Sequence, residues 1–119
     1  MQIYEPCSGA AQSYMVSHYV IIFDWQLLEF EWVMRGFYEL TRKDIQRVFE
    51  ALCGLENVQI EDRGIVLAAL NAYQQGLDFA DALHLSGANF CATFLSFDQR
   101  LKKLAKAAGL SPTVETPKA

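Results

Sequence analysis

No Lys or Arg precedes Arg35, so the basic opening of a secretory signal is missing. The longest charge-free stretch, Pro6 to Phe23, is broken by Ser8, Gln12, Ser13, Ser17 and His18 and makes a poor membrane span. Both absences predict a cytoplasmic protein without a membrane partner. Cysteine is sparse. Cys7, Cys53 and Cys91 are odd in number and show no C-x-x-C spacing, which argues against a disulfide framework or a zinc knuckle and for free buried thiols. Three prolines and seven glycines exclude collagen-like and Pro-rich classes. There is no P-loop, no G-x-G-x-x-G and no G-x-S-x-G. Basic charge is also short. Ten Lys and Arg face fourteen Asp and Glu, a net charge of −4, which excludes a globally basic nucleic-acid coat but leaves room for a local basic face.

What is present is a foldable chain. Its 119 residues suit one domain, and 52% apolar with 20% charged residues argue against disorder. Residues 1–18 mix small and polar residues without a clear period. Tyr19 to Phe23 is a β-branched and aromatic run that predicts a buried strand, with Asp24 as the cap of a helix over Trp25 to Tyr38. That helix is apolar nearly all round and is expected to be buried on several sides. Thr41 and Asp44 form a capping-box pattern ahead of a helix over Arg42 to Cys53, with Ile45, Val48, Phe49 and Leu52 inside and Gly54 at its stop. Val58 to Ile60 alternates as a short strand. Asp62 and Asp78 suit caps of helices over Arg63 to Gln75 and Phe79 to Asn89. Thr93 to Phe97 predicts another buried strand, Gln99 to Ala108 a last helix ending at Gly109, and the tail is expected to fray after Val114. The order β-α-α-β-α-α-β-α implies an α/β fold with a parallel sheet flanked by helices, whose ligands bind beyond the carboxyl ends of the strands.

Several acids stand where chemistry can use them. Glu29 lies in Leu27-Leu28-Glu29-Phe30-Glu31-Trp32, on a helix so apolar that a buried carboxylate needs a partner. Asp81 falls in the first turn of its helix, where the helix dipole favours an anion. Asp98 follows the strand Thr93 to Phe97, and Ser96 is placed two residues earlier on the same side. Carboxylates gathered at one strand edge repel one another, and a hard divalent cation resolves that repulsion while leaving positions for water and phosphate. The ordinary alternatives are caps for Asp78 and Asp98, a dipole-favoured acid for Asp81, and an ion pair between Glu29 and a cation such as Arg35. Arg35, Arg42, Lys43 and Arg47 form one basic group, and Arg100, Lys102, Lys103 and Lys106 a second. Either can meet RNA phosphates or simply face solvent.

Three segments carry a family resemblance. Leu27-Leu28-Glu29-Phe30-Glu31-Trp32-Val33-Met34-Arg35 resembles the segment around the second acid of PIN-domain nucleases. Asp78-Phe79-Ala80-Asp81-Ala82-Leu83-His84-Leu85 resembles the segment around their third acid, and Ser96-Phe97-Asp98 resembles their Thr-Phe-Asp, with Ser for Thr. The group most similar is the VapC-like toxins of toxin–antitoxin pairs. The resemblance implies a PIN-like three-layer fold over residues 19–114, after an atypical segment 1–18 and before a flexible tail 115–119. It further implies a Mg²⁺- or Mn²⁺-dependent endoribonuclease, an RNA substrate, a cognate antitoxin and a homodimer. By position, Glu29, Asp81 and Asp98 would be the catalytic and metal-site acids and Ser96 a supporting hydroxyl; Arg35, Arg42 and Lys43 of the first basic group are the candidate contacts to RNA.

The chain departs from the family at its start. The family opens on a central strand bearing a first acid in Asp-Thr-Asn or Asp-Ser-Asn, and this sequence has neither; its early acids are Glu5 and Asp24. The N-terminal part therefore reads as truncated or replaced. Three functional expectations stay open: an active nuclease, an inactive remnant that binds only an antitoxin or a second copy, or an α/β binding domain whose acids are all caps and ion pairs.

Overall fold

The computed structural model describes residues 20–118. The expectations for residues 1–18 and for Cys7 lie outside the described residues. The chain divides into two compact units, the first ending at Arg63 and the second beginning at Gly64.

In the first unit the β-branched run becomes β1 (Val20–Ile22), followed by α1 (Asp24–Gly36), α2 (Arg42–Cys53) and β2 (Val58–Ile60). β1 and β2 are parallel, with Val20 opposite Val58 and Ile22 opposite Ile60. The pairing extends at each end through Val20 N–H to the Asn57 carbonyl (2.8 Å) and Glu61 N–H to the Ile22 carbonyl (3.0 Å). Both strands bury their first and third residues. These join Leu27, Met34, Ile45, Phe49 and Cys53 among the buried apolar residues of the unit.

The predicted capping box of α2 is formed: Asp44 N–H donates to Thr41 Oγ1 (3.2 Å) and Thr41 N–H to Asp44 Oδ2 (3.4 Å). The buried stripe of α2 is shifted from the predicted one. Ile45 and Phe49 are inside, but Gln46 and Cys53 replace Val48 and Leu52 as fully buried positions.

Two expectations for α1 are corrected. Asp24 does not cap it. Phe23 is the cap residue, and its N–H donates to Gln26 Oε1 at 2.9 Å, so Asp24 becomes the first helical residue. Nor is α1 buried on several sides. It buries Gln26, Leu27, Glu31 and Met34 and leaves Trp25, Trp32, Val33 and Phe37 exposed. The acid that goes inside is Glu31 rather than Glu29. It is held by Arg35 one turn on, Nε to Oε2 at 2.8 Å, a partner that lets a carboxylate leave water.

The second unit contains α3 (Arg63–Gln74), which begins at the boundary, then α4 (Phe79–Gly87), β3 (Thr93–Leu95), α5 (Gln99–Ala108) and β4 (Thr113–Glu115). Val66, Ala69, Leu70 and Tyr73 of α3 are buried as their spacing predicts. The Tyr73 and Phe79 rings meet edge to face, with centroids 5.5 Å apart. β3 and β4 are parallel, Phe94 opposite Val114, and α5 packs along β4.

β4 was not expected from the sequence, and β3 is shorter and more exposed than predicted, with Leu95 and Phe97 facing out. The chain is thus α/β, with five helices and four short strands among the described residues. Those strands form two separate parallel pairs rather than the single sheet expected. No helix among the described residues is long and apolar enough to cross a membrane. Cys53 is a buried free thiol as expected, whereas Cys91 is exposed.

α5 ends where predicted because Gly109 adopts φ 66°, the left-handed conformation that closes a helix and that a Cβ disfavours. Gly109→Ala has open space around its methyl group, so the expected loss is the backbone term alone, about 1 kcal/mol in a urea titration.

Candidate functional site

Two helix starts in the second unit shape the site. Gly76, at φ 110°, turns the chain out of α3. Leu77 is buried, and Asp78 then takes the cap position of α4, its carbonyl accepting Ala82 N–H at 2.8 Å. The Asp78 carboxylate makes no capping bond, contrary to its expected role as a side-chain cap. Asp81 follows in the first turn, half-buried.

Asp98 opens α5. Its Oδ1 accepts both Arg100 N–H (2.9 Å) and Leu101 N–H (3.1 Å), so it is the cap the sequence allowed. Ser96 Oγ accepts Asp98 N–H at 3.1 Å and fixes the approach of the chain to that cap. The hydroxyl therefore supports Asp98 through its backbone.

Asp78, Asp81 and Asp98 line one small cleft of about 70 Å³, together with Gly76, Leu77, Arg100, Leu101 and Leu104. The electrostatics follow from this arrangement. Burial pushes the Asp81 carboxyl above its ordinary range, the Asp78 and Asp98 charges push it further, and His84 one turn on pulls it back. Two helix N-termini offer partial positive charge to the same acids.

A raised folded-state pKa stabilises the protein below the unfolded value and loses that contribution as pH rises through the folded one. Asp81→Asn is therefore expected to melt above the parent protein at pH 7 in EDTA. The gap should close as pH falls below 3.8, where the parent carboxyl is neutral folded or unfolded. Melts across pH 3 to 7 check this.

The other predicted site residues lie in the first unit. Glu29 is exposed on α1. Arg35 is committed to Glu31, while Arg42 and Lys43 are exposed in the first turn of α2. The first unit also holds an acid predicted only as a cap. Asp24 Oδ1 is buried without a hydrogen-bond partner, and burial, then Glu61 and Asp62, raise its carboxyl.

No protein-family model matches the chain, and neither a curated protein nor a solved structure matches it.

Two residues of the cleft lie outside the predicted site. Asp78 is predicted only as a cap, although an acid three residues ahead of Asp81 on one helix start is a visible like-charge pair. Arg100 is predicted only as one of a basic group, although its position two after Asp98 sets it at the mouth of the same helix start.

The donor chemistry of the cleft suits a hard divalent ion. Such ions take carboxylate oxygens, and Mg²⁺ is held by one or two of them with water and phosphate completing its shell. Asp98 keeps Oδ2 outside the capping bonds, and Asp78 is free of capping bonds altogether. Among the described residues no three His, Cys, Asp or Glu side chains are gathered tightly enough to enclose a metal ion by themselves.

Proposed function

We propose that the chain is a PIN-type, VapC-like endoribonuclease that hydrolyses RNA phosphodiesters with Mg²⁺ or Mn²⁺, acts in the cytoplasm and is restrained by a cognate antitoxin. The observation that carries this reading is that Asp81 and Asp98, from two separate family-like segments, line one cleft, where the Asp98 charge helps to push the Asp81 carboxyl up. The finer architecture belongs to the same proposal: a PIN-like three-layer domain over residues 19–114.

In this reading Asp81 and Asp98 hold the ion, with Glu29 assigned to the same task by resemblance. Bound there, the ion supplies a water of lowered pKa and stabilises charge on the phosphodiester. Ser96 holds the backbone of Asp98, and the capping bonds to Arg100 and Leu101 fix its carboxylate. Arg42 and Lys43, with Arg35 of the same basic group, meet the RNA backbone, which makes affinity fall with salt.

The test pairs a thermal melt with and without Mn²⁺ and a cleavage assay on single-stranded RNA. A ligand held only by the folded state raises the midpoint. Mn²⁺ is expected to raise the melt and to switch on cleavage, and Asp81→Asn to lose both. Cleavage that survives in Asp81→Asn defeats the assignment, as does a chain indifferent to Mn²⁺ in both assays. The open cleft, with no tighter acidic group among the described residues, favours one second reading: a site that binds ion and RNA without turnover. Its signature is a raised melt with no cleavage.

A further inference from the structure

β4 has a strand on one side only. Ser96 N–H donates to the Glu115 carbonyl at 3.0 Å, so Glu115 turns its backbone toward β3. The direction of the peptide groups alternates along a strand, so Val114 turns its N–H and carbonyl the other way. Among the described residues no strand lies on that side, and neither group has a hydrogen-bond partner.

A groove of about 540 Å³ follows this open edge. Lys102, Ala105 and Lys106 of α5 line it with Thr113, Val114 and Glu115 of β4, and the turn from Gly109 to Ser111 completes the lining. No residue of β3 contributes, which places the groove on the unpaired side. Its volume falls within the range of ligand clefts, about 300–1,000 Å³. Ala105 and Val114 are buried and give it an apolar floor. The helix side is cationic. Among the described residues the Lys106 ammonium has no carboxylate in reach, and Lys102 reaches only Glu115, at 3.9 Å, with both side chains well exposed. So loose a pair yields readily to another carboxylate.

We infer that this groove takes an extended acidic peptide segment of another protein, added as a further strand to β4. Three features select that occupant. A peptide brings both an N–H and a carbonyl, so it satisfies both Val114 groups at once. A phosphate only accepts and leaves the Val114 carbonyl unmet, which argues against RNA here. Lysines beside an edge discourage an uncharged apolar strand, so the segment must carry acids.

The spacing sets the pattern. The peptide residue opposite Val114 points its side chain to the same face as Val114, and so do the residues two places away, about 7 Å along the strand. Lys102 and Lys106 are about 6 Å apart along α5. The matching segment is therefore acid-x-apolar-x-acid. Pro112 shares the open side with Val114 and has no N–H to offer, so the pairing is short and the affinity modest. The groove shares no residue with the Asp81 cleft and lies outside the three family-like segments, so the inference does not rest on the nuclease reading.

The experiment titrates the isotope-labelled full chain with acetylated Glu-Thr-Val-Thr-Glu and reads backbone amide signals, up to about 2 mM peptide. The Val114 amide is expected to shift and its hydrogen exchange to slow, with a dissociation constant on the order of 1 mM or below. Thr-Glu-Val-Glu-Thr has the same composition and charge but turns its acids away from α5, and should bind roughly tenfold more weakly. Glu-Thr-Val-Thr-Glu methylated on the valine nitrogen keeps every side chain and loses a strand bond, and should bind as weakly. Lys106→Gln changes an exposed side chain, so it should melt with the parent protein yet weaken the first peptide about fivefold to tenfold.

A Val114 amide that stays still at the top of the titration overturns the proposal. So does equal binding of the three peptides, which would mean charge attraction without a strand, or an affinity unchanged in Lys106→Gln. A single-stranded RNA that moves the Lys102 and Lys106 amides where the peptide does not also overturns it, and gives the lysines to nucleic acid. Val114 signals that move with protein concentration alone do the same, and give the edge to a second copy.

Discussion

On the proposed nuclease function, Asp98→Ser is expected to melt within about 0.5 kcal/mol of the parent protein and yet to lose the response to Mn²⁺ and most of the RNA cleavage. Asp98 does two things at once. Its Oδ1 receives two N–H groups at the start of α5, and its carboxylate faces the cleft shared with Asp78 and Asp81. Serine is as good a helix cap as aspartate, so the first task survives the change. The charge does not survive it.

Cleavage should fall roughly a hundredfold or more, the scale on which one group that stabilises transition-state charge acts. Asp98→Ala removes both tasks and should cost about 1 kcal/mol besides. The pair of variants therefore separates a structural cap from a metal-site acid. Equal cleavage in the parent and Asp98→Ser would show that Asp98 is a cap and nothing more. The change should also lower the Asp81 pKa, since one of the two charges that raise it is gone.

Phe79→Ala is expected to cost about 4 kcal/mol, the usual range for emptying a phenylalanine site being roughly 3–5 kcal/mol. Phe79 is fully buried, and its ring meets Tyr73 at 80° with centroids 5.5 Å apart. That pair adds about a quarter of the loss, since edge-to-face rings contribute about 0.5–1.5 kcal/mol beyond their area. Against a total stability of about 5–15 kcal/mol for a domain this is a large share.

The position also matters for the site. Phe79 lies between Asp78 and Asp81 in the chain and anchors the first turn that carries them. Phe79→Leu keeps most of the volume and should cost about 1 kcal/mol, the loss of the ring contact. Urea titrations of the two variants give both numbers. A cost below 1 kcal/mol for Phe79→Ala would mean that the start of α4 is not held by this side chain.

What was legible in the sequence was whatever depended on neighbours in the chain. The Thr41–Asp44 box, the Asp98 cap and the Gly109 stop are local devices, and all three formed. The Asp24 cap failed for an equally local reason: the N–H groups it would have accepted, those of Gln26 and Leu27, go to the Phe23 carbonyl, so the helix starts one residue earlier. The faces of α1 were not legible, because nearly every position is apolar and the pattern fixes no direction. The decisive fact was an ion pair that carried Glu31 inside.

β4 was missed because three residues beside a proline make too short a run to mark a strand, even with two β-branched members. Thr113–Glu115 is a strand only because β3 is there to pair with. The cleft was half legible. Strand-edge reasoning put Asp81 and Asp98 in play, whereas the roles of Asp78 and Arg100 depend on how two helix starts meet, which no window of sequence contains.

The buried thiol gives the first unit a built-in record of its own opening. Cys53 is buried, and loss of hydration holds its thiol above the ordinary range, so a reagent in solution meets neither access nor thiolate while α2 is in place. Cys91 is open to the same reagent throughout. In a protein with Cys7 and Cys91 replaced by serine, each alkylation event therefore counts one excursion of α2 into water. The labelling rate, followed over hours without denaturant, ranks how often that helix lets go relative to the fully unfolded chain.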